Sequence, residues 1–475
     1  MGTIFSDTLL AGDGPKYQRL VSGLQRAIEE GDLNKGEKLP PVRELAWQLG
    51  ITPGTAARAY SILSDEGWVQ TEVGRGTYVR GRPVPVADVP SATQPIYQQP
   101  TYQELALHKE PENDFLFAPR LPDVGQVKVI REAMMAAAAL PDQMLLRYPF
   151  FTSQQHLREA VHRQLPEDMR MSADRDDVVV TNGGQNGIML SMQTLLAEGS
   201  RRVIVEQQSY PGLRRAVELL GAEVVAAPMD AHGVIPDALD RIARDTDARL
   251  FFTMPEAHNP TCTVTSEERR HQVAEIARRR GFHVVQDDCY RLGAPIGPSY
   301  RSLLPEQGWF ISSFSKTVSP ALRAGYVVTP DNWAGKMRRV LDVNYFGVSA
   351  PAYETLYHVL THPDLTQILT RMQDKNREYI EVALNVLGRF DLGWSHDVPF
   401  LWLKLPDGWR VSTFSQLAEA KGIRVRPGDD FALRDGPAVH AVRISVNGQM
   451  PLDRFRMVLG QIAHMLDHPP ESLSA

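Results

Sequence analysis

The chain has 475 residues, more than one ordinary domain needs, so we expect two or three domains. Its 43% hydrophobic and 23% charged residues are typical of a soluble globular protein. The formal net charge of −6 argues against a general affinity for nucleic acids, so any such contact must come from locally placed cations.

Two further features predict a cytoplasmic protein that does not associate with membranes. No apolar run approaches the roughly 20 residues needed to cross a bilayer. The first residues, MGTIFSDTLLAGDG, lack the basic stretch and the long apolar core of a secretion signal. The two cysteines, Cys262 and Cys289, are too few for a disulfide framework and fit a reducing compartment. No residue pattern leads us to expect a metal site.

The first elements along the chain predict a helix-turn-helix followed by a β-hairpin. The run YQRLVSGLQRAIEEGDL has apolar residues at helical spacing, and a second helix over 41–49 ends at Gly50. At the start of the third helix, Thr52 is suited to the N-cap and Pro53 to the first turn. The following run WVQTEVGRGTYVR alternates like a hairpin with its tip at residues 74–76. Two short helices joined by a tight turn are typical of a helix-turn-helix.

Candidate DNA contacts follow from this arrangement. The third helix would enter the major groove and offer Thr52, Thr55 and Arg58. Arg43, at the start of the preceding helix, is placed for a phosphate, and Arg75 at the hairpin tip would lie in or beside the minor groove. Two alternatives stay open: a winged helix used for dimer contacts alone, and arginines that are merely solvated.

The order and spacing of these motifs resemble the GntR family of winged-helix regulators. The elements LPxxREL, LGIT, AYxxL and GxGTYV follow one another over residues 16–80. The resemblance implies that residues 1–82 form a domain that binds a double-stranded DNA operator. Two positions depart from the family pattern, because Pro41 stands where Ser is usual and Pro53 where Arg is usual. Each change removes a DNA contact that the family commonly makes.

Beyond this domain the composition changes twice. Residues 83–112 contain six prolines, which predicts a semi-rigid linker. From residue 113 to 475, short apolar strands alternate with amphipathic helices, which is typical of an α/β domain with a mostly parallel sheet covered on both faces. A smaller α/β subdomain is predicted from about residue 364. The predicted strands are 177–181, 202–206, 222–227, 249–254, 282–287, 309–314, 325–329, 399–405 and 441–446.

The run ISSFSKTVSPALRAGY carries the main chemical signal of the large domain. The predicted strand ends at Phe314, and Lys316 follows it at once. A lysine held at a strand end can form a Schiff base with an aldehyde cofactor. Ser313, Ser315 and Arg323 are placed to bind a phosphate. Taken by itself, Lys316 would be a surface lysine, so the interpretation depends on its neighbours.

Upstream, the run VVVTNGGQNGIML places a strand, a glycine turn and a helix start in succession. Bare backbone N–H groups and the helix dipole make such a turn an anion site. Gly184 and Gln185 are the candidates for this contact, and Gly183 is needed for the bend. The alternative is ordinary turn chemistry with no ligand.

Further candidate residues are suited to hold the ring of an aromatic cofactor. The run VVQDDCY ends a predicted strand in Asp287, whose carboxylate can hold a pyridine nitrogen protonated, although a helix cap is the alternative. Tyr290 and Asn259 suit hydrogen bonds to the phenolic oxygen of the ring, and Tyr210 suits stacking on its face. Asn-Pro is also a common turn, so the asparagine is weak evidence alone.

These motifs, in order between residues 115 and 465, resemble a fold type I aminotransferase domain, which implies pyridoxal 5'-phosphate as the cofactor and Lys316 as its covalent attachment point. Arg443 matches the arginine that binds a substrate carboxylate, where a guanidinium offers two hydrogen bonds. Tyr148 resembles the tyrosine that reaches a partner subunit's phosphate. Cys262 replaces the glycine usual after Asn-Pro-Thr.

A GntR-type winged helix joined by a long linker to such a domain is similar to the MocR-type subfamily. The resemblance implies head-to-tail homodimers and a transcription regulator that senses a small amino compound, or pyridoxal phosphate itself. The alternative is an active aminotransferase with an accessory winged helix, since the groups for its first half-reaction are present. The identity of the ligand, the operator sequence, and activation versus repression stay open.

Overall fold

The computed structural model describes residues 7–11, 14–72, 76–80, 114–149, 154–433 and 439–469. The chain divides into two compact units, Met1–Lys109 and Glu110–Ala475. The predicted linker, 83–112, and the predicted wing residue Arg75 lie outside the described residues. Among the helices that the structure describes, none is long and apolar enough to cross a membrane.

The N-terminal unit combines short helices with a small antiparallel sheet. Its helices are α1 (Lys16–Glu29), α2 (Val42–Gln48) and α3 (Pro53–Asp65), and its strands are β1 (Lys38–Leu39), β2 (Val69–Glu72) and β3 (Gly76–Val79). Strand β3 lies between β1 and β2 and is antiparallel to both. Leu24, Leu45, Ala56 and Leu63 are buried in one apolar cluster that joins the three helices. The predicted helix-turn-helix and hairpin are confirmed.

The start of α3 also agrees with the sequence. The side chain of Thr52 accepts the Thr55 N–H at 3.3 Å, and Pro53 occupies the first turn. Such a cap satisfies one of the N–H groups that a helix start leaves unpaired. Helix α2 begins after Pro41, which offers no side-chain cap.

The C-terminal unit contains many short strands. They are β4 (Asp114–Phe115), β5 (Val178–Thr181), β6 (Arg202–Glu206), β7 (Glu223–Ala227), β8 (Met229–Asp230), β9 (Gly233–Val234), β10 (Leu250–Thr253), β11 (His283–Asp287), β12 (Gly308–Ser313), β13 (Gly325–Val328), β14 (Leu392–Gly393), β15 (Phe400–Lys404), β16 (Ile423–Arg424), β17 (Arg426–Pro427) and β18 (Ala441–Ser445). The central sheet has the spatial order β5-β13-β12-β11-β10-β6-β7. Only β13 is antiparallel to its neighbours, so the predicted mostly parallel sheet is confirmed.

Helices alternate with these strands along the chain. They are α4 (Gln126–Ala137), α5 (Asp142–Leu145), α6 (Gln155–Gln164), α7 (Glu167–Ser172), α8 (Gly184–Leu196), α9 (Pro211–Leu219), α10 (Pro236–Thr246), α11 (Glu267–Arg280), α12 (Tyr300–Leu303), α13 (Ala334–Tyr345), α14 (Ala350–Leu360), α15 (Leu365–Leu387), α16 (Val411–Ala420) and α17 (Leu452–Asp467). Phe252 and Val285 belong to one apolar cluster, whereas their chain neighbours Phe251 and Val284 belong to another. Because successive strand residues point to opposite faces, both faces of the sheet are covered.

The last part of the unit forms a second, smaller sheet. Its order is β14-β15-β18-β17, and all three pairs are antiparallel. Leu401, Phe414, Ile444 and Phe455 join this sheet to helices α15, α16 and α17 in one apolar cluster. Helix α15, which packs on this sheet, begins at Leu365, and the predicted subdomain start near residue 364 stays a prediction.

Candidate functional site

The predicted site residues lie at one edge of the central sheet. The parallel strands β6, β10, β11 and β12 end at this edge, as does β5, while the antiparallel β13 begins there. Because the carboxyl ends of parallel strands meet at one edge, loops far apart in sequence converge on it. The residues that follow or precede these strand ends are Gly183, Gly184, Tyr210, Asn259, Asp287, Lys316 and Arg323.

The glycine turn after β5 is the candidate anion cradle. Gly183 has φ of 89° and caps helix α8, which starts at Gly184. A Cβ atom at Gly184 would lie 2.6 Å from the Cys289 sulfur, so only glycine fits there. A guanidinium N–H of Arg323 donates to the Asn182 carbonyl at 3.3 Å. The helix N-terminus and this cation therefore border the same turn, as a phosphate site requires.

Hydroxyl and amide side chains line the same turn. The Ser313 hydroxyl donates to the Ser315 hydroxyl at 3.0 Å, and a Cβ at Gly184 would lie 3.4 Å from the Ser313 Cβ. Gln185 donates to the Gly212 carbonyl at 3.0 Å. Its Oε1 atom is buried and has no hydrogen-bond partner among the described residues. These groups are the polar lining that the sequence predicted around the turn.

Asp287 ends the buried strand β11 and is 3% exposed. Its Oδ1 atom has no hydrogen-bond partner in the described part of the chain. Burial raises the pKa of this carboxyl to about 6, against the opposing effect of hydrogen bonds from Cys289. The next helix begins only at Tyr300, so the alternative of a helix cap is wrong. A buried carboxylate with an unused oxygen fits a protonated ring nitrogen.

Lys316 is half-buried in the loop after β12 rather than a surface lysine. Its Nζ atom lies 5.8 Å from the centre of the Tyr290 ring. Burial lowers the pKa of the amine, and the charges of Arg443 and Arg323 lower it further. A lowered pKa increases the fraction of neutral, nucleophilic amine near neutral pH.

Two tyrosines stand close to Asp287. Burial, together with the nearby groups Tyr290 and Asp287, raises the pKa of Tyr210 to about 12. The ring of Tyr290 packs edge-on against Phe400 at a centroid distance of 5.2 Å. Both phenols are therefore neutral hydrogen-bond donors at neutral pH, as a phenolic oxygen partner or a stacking ring requires.

Arg443 and Asn259 form one buried unit. The guanidinium of Arg443, on β18, donates to the Asn259 Oδ1 at 2.7 Å and to the Phe117 carbonyl at 2.9 Å. Arg443 is 1% exposed and packs between Phe400 and Phe431, whose ring centres lie 5.1 and 5.2 Å from its guanidinium carbon. Within the described residues, neither the Arg443 Nε nor the Asn259 Nδ2 has a partner.

Tyr148 is separated from these side chains. It is 69% exposed, and its ring lies 5.1 Å from that of Phe346. Both rings line a cleft of about 510 Å³ together with Pro149, Gln154, Val179, Val180, Arg338, Leu341, Asp342 and Gly347. The role that the resemblance gives Tyr148, in a partner subunit, stays a prediction.

The predicted DNA contacts other than Arg75 lie on the surface of the N-terminal unit. Arg43 is exposed in the first turn of α2, and the exposed Thr52 binds the hydroxyl of Thr55 at 2.9 Å. The guanidinium carbon of Arg58 lies 4.0 Å from the centre of the Tyr17 ring. Sequence reasoning missed this stacking contact, which holds Arg58 on α1 while leaving it exposed.

The large unit can be assigned to a family by comparison with known proteins. Residues 112–462, well over half of the chain, match the family model of aminotransferase class I and II. The chain belongs to the aminotransferase class I and II family. Residues 16–79 match the model of bacterial regulatory proteins of the gntR family. A gntR-type region followed by an aminotransferase domain is the MocR-type layout, which confirms the resemblance.

Three similar proteins are named as HTH-type transcriptional regulators. The chain is 26% identical over 468 residues to YdeF, an uncharacterized HTH-type transcriptional regulator of Bacillus subtilis, with 95% of each chain covered. It is 25% identical to PdxR, an HTH-type pyridoxine biosynthesis transcriptional regulator of Corynebacterium glutamicum, with 78% of this chain and 79% of that protein covered. It is also 25% identical to the HTH-type transcriptional regulator TauR of Rhodobacter capsulatus, with 88% and 90% covered.

A solved structure shares the fold of the large unit. A kynurenine aminotransferase of Pyrococcus horikoshii matches with a TM-score of 0.67 and 21% identity, covering 78% of this chain and 94% of that one. The large unit of the chain therefore has the fold type I architecture. Pyridoxal phosphate is the cofactor of the family, and the residues present fit it, because Asp287 keeps a buried oxygen unused and the Arg323 guanidinium lies at the turn where the helix N-terminus begins.

Proposed function

We propose that the chain is a DNA-binding transcription regulator whose aminotransferase domain binds pyridoxal phosphate and senses a small amino compound. The observation that carries the proposal is the presence, on one chain, of a helix-turn-helix unit and of a buried Asp287–Lys316 site with an anion cradle. A regulator needs both parts, whereas an enzyme needs only the second.

The roles of the cofactor residues follow from their positions. Bound pyridoxal phosphate would supply an aldehyde that amines attack and a ring that withdraws electrons. Lys316 would hold the aldehyde carbon, and Asp287 would keep the ring nitrogen protonated through its unused Oδ1. The phosphate would be held by the backbone N–H groups of the glycine turn and by Gly184, Gln185, Ser313, Ser315 and Arg323.

The remaining residues would orient the ring and the ligand. Tyr290 and the free Nδ2 of Asn259 would donate to the phenolic oxygen, and Tyr210 would lie against the ring face. Arg443 would bind a carboxylate of the amino compound, because its buried guanidinium has no acidic partner among the described residues. An amine that reaches Lys316 would then be fixed at both ends.

Ligand binding must favour one DNA-binding state over another to act as a signal. Such coupling between sites is typically about 1–3 kcal/mol, and it requires a ligand with different affinities for the two states. We further propose a homodimer, in which the exposed Tyr148 reaches the phosphate bound by the partner subunit. The winged helices of a dimer would read two half-sites of an operator.

The test is operator binding by the full chain with and without amino compounds. Duplexes selected from random DNA provide the operator, and fluorescence anisotropy gives its affinity. We expect at least one amino compound to change this affinity about fivefold or more, and Lys316→Ala to abolish the change. Lys336→Ala, which alters an exposed lysine paired with Glu198, is the matched control and should respond normally. A Lys316→Ala protein that still responds would reject covalent sensing.

Two other functions share the same site. Turnover as an aminotransferase is favoured by the lowered pKa of Lys316 and by Arg443, which donates to neutral oxygens and has no carboxylate partner among the described residues. Steady production of a keto acid from an amino donor and a keto acceptor would support it. If pyridoxal phosphate alone changes operator affinity and amino compounds add nothing, the cofactor itself is the signal.

A further inference from the structure

A second arginine lies beside the one assigned to the ligand carboxylate. Arg426 on β17 is the register partner of Arg443 on β18. The guanidinium carbon of Arg426 lies 5.0 Å from the ring centre of Phe431, and that of Arg443 lies 5.2 Å from the same ring. Phe117 also contacts both, because its ring lies 5.0 Å from Arg426 and its carbonyl accepts from Arg443. The two guanidinium groups are therefore neighbours around shared aromatic rings.

The charge of Arg426 reaches the ligand pocket. It opposes the effect of burial on the pKa of Tyr210 and of Tyr290, and it adds to burial in lowering the pKa of Arg443. The strand region that carries Arg426 is fixed to the Tyr210 loop, since the Ser209 N–H donates to the Phe431 carbonyl at 3.1 Å. Arg426 thus faces the side chains that surround the site.

The positive charge of this pair is incompletely balanced. Arg443 donates to the neutral oxygens of Asn259 and Phe117 and also hydrogen-bonds the Tyr290 side chain, and its Nε has no partner among the described residues. Arg426 binds Asp430 through its Nε at 3.0 Å, and that carboxylate is 42% exposed. Of the two guanidinium groups, the fully buried one therefore has only neutral partners among the described residues, and the other has the single carboxylate of Asp430. A buried charge without a partner is costly, so the arrangement favours anionic ligand groups.

We propose that the sensed amino compound carries two acidic groups, one bound by Arg443 and the other by Arg426. The proposal rests on the proposed function, since it specifies the ligand of the same site. One carboxylate satisfies Arg443, and a second acidic group would join or replace Asp430 at Arg426. Planar guanidinium groups bind carboxylates with paired hydrogen bonds, so a dicarboxylic amino acid is the simplest ligand of this class. A ligand whose side chain ends in an uncharged group would leave Arg426 with Asp430 as its carboxylate partner.

The test compares acids with their amides. The full chain loaded with pyridoxal phosphate is titrated with L-aspartate, L-asparagine, L-glutamate and L-glutamine, followed by the visible absorption band and by calorimetry. In at least one pair we expect the acid to bind about tenfold tighter or more than the amide. Arg426→Gln should reduce this ratio to about twofold or less. Arg424→Gln, which alters a 45% exposed arginine paired with Glu419, should keep it.

A second variant acts in the opposite direction. Asp430→Asn removes the carboxylate that competes for Arg426, so the acid-to-amide ratio should rise, and this exposed position is expected to tolerate the change. Equal binding of acids and amides by the unmodified protein, or a ratio that Arg426→Gln leaves unchanged, overturns the second acidic group while amine sensing stands. If neither these four compounds nor the amino compounds used in the operator-binding test bind the protein, amine sensing itself is rejected, and the second acidic group with it.

Discussion

The guanidinium of Arg443 donates to the Oδ1 of Asn259 at 2.7 Å, a contact that spans 184 residues of sequence. It ties strand β18 of the small sheet to the loop after β10 of the central sheet. The arginine expected at the ligand carboxylate and the asparagine expected at the cofactor are thus one hydrogen-bonded pair. If Arg443 binds the ligand and Asn259 the cofactor, as proposed, this hydrogen bond would couple ligand recognition to the cofactor position.

The glycine turn predicts that one added methyl group, at Gly184, lowers the affinity for pyridoxal phosphate. Gly184→Ala would place a Cβ 2.6 Å from the Cys289 sulfur, so either the turn or the Cys289 side chain, which hydrogen-bonds Asp287, must shift. We expect the affinity for pyridoxal phosphate, measured by absorption titration, to fall about tenfold or more. Gly335→Ala adds a Cβ with nothing within 4 Å and should leave the affinity unchanged. A Gly184→Ala protein with normal affinity would contradict the cradle.

Asp287 predicts a pH-dependent stability in the cofactor-free protein. Burial raises its pKa from 3.8 to about 6, so the folded chain holds this proton more tightly than the unfolded chain does. The resulting cost is absent below the unfolded pKa, grows as pH rises, and is complete above the folded pKa. Full ionisation costs on the order of 3 kcal/mol. Asp287→Asn should therefore raise the free energy of unfolding at pH 8, and by about half as much at pH 5.

Urea unfolding at the two pH values measures this effect. Asp453→Asn, at a side chain that is 95% exposed, should change neither value. With pyridoxal phosphate present, the unmodified protein should be more stable than Asp287→Asn, because Asn cannot pair with a protonated ring nitrogen. For the same reason the affinity of Asp287→Asn for the cofactor should fall. A stability gain that is equal at pH 5 and pH 8 would show that the Asp287 carboxylate is not the group responsible.

A buried ion pair predicts a large stability loss away from the site. Arg270 and Glu256 are 0% and 1% exposed and lie 2.6 Å apart. Glu256→Gln leaves a buried guanidinium without its charge partner, which costs about 3–5 kcal/mol in comparable cases. Lys404 and Asp391 form a pair of similar length, 2.9 Å, but are 60% and 65% exposed. Lys404→Ala should lower the free energy of unfolding by less than about 1 kcal/mol in the same urea titration. Similar losses in Glu256→Gln and Lys404→Ala would contradict the expected difference between the buried and the exposed pair.

The N-terminal unit predicts a specific salt dependence of DNA binding. Arg43 is exposed at the start of α2, where a phosphate contact is expected. Arg43→Ala should weaken operator binding and lower the slope of log affinity against log salt concentration by about 1, because one fewer counterion is released. Lys128→Ala removes the same charge from a 72% exposed site in the large unit and should leave the slope unchanged. Equal slopes in all three proteins would exclude the Arg43 contact.

Much of the fold follows from local patterns in the sequence. The strand predicted over 202–206 is observed as Arg202–Glu206, because a continuous apolar run marks a strand buried on both faces. The strand before Lys316 ends at Ser313, one residue before the predicted Phe314. The lysine and the glycine turn could be predicted because they follow such strands, and Asp287 because it ends one.

Other parts of the site could not be predicted, because they depend on contacts between distant segments. Cys289 lies against Gly184 across more than a hundred residues, and no periodic pattern encodes that approach. Arg426 was missed because a strand residue alternating with apolar neighbours is usually a solvated arginine. Its meaning appears only when β17 pairs with β18 and brings it beside Arg443.

The most direct test of the central claim is the covalent attachment of pyridoxal phosphate at Lys316. The full chain is incubated with the cofactor, passed through a desalting column, reduced with borohydride and mapped by peptide mass spectrometry. We predict a visible absorption band that reduction removes, and a reduced cofactor mass on the peptide containing Lys316, in the unmodified protein and in Lys336→Ala but not in Lys316→Ala. A colourless protein, or label on a different lysine, would contradict the account.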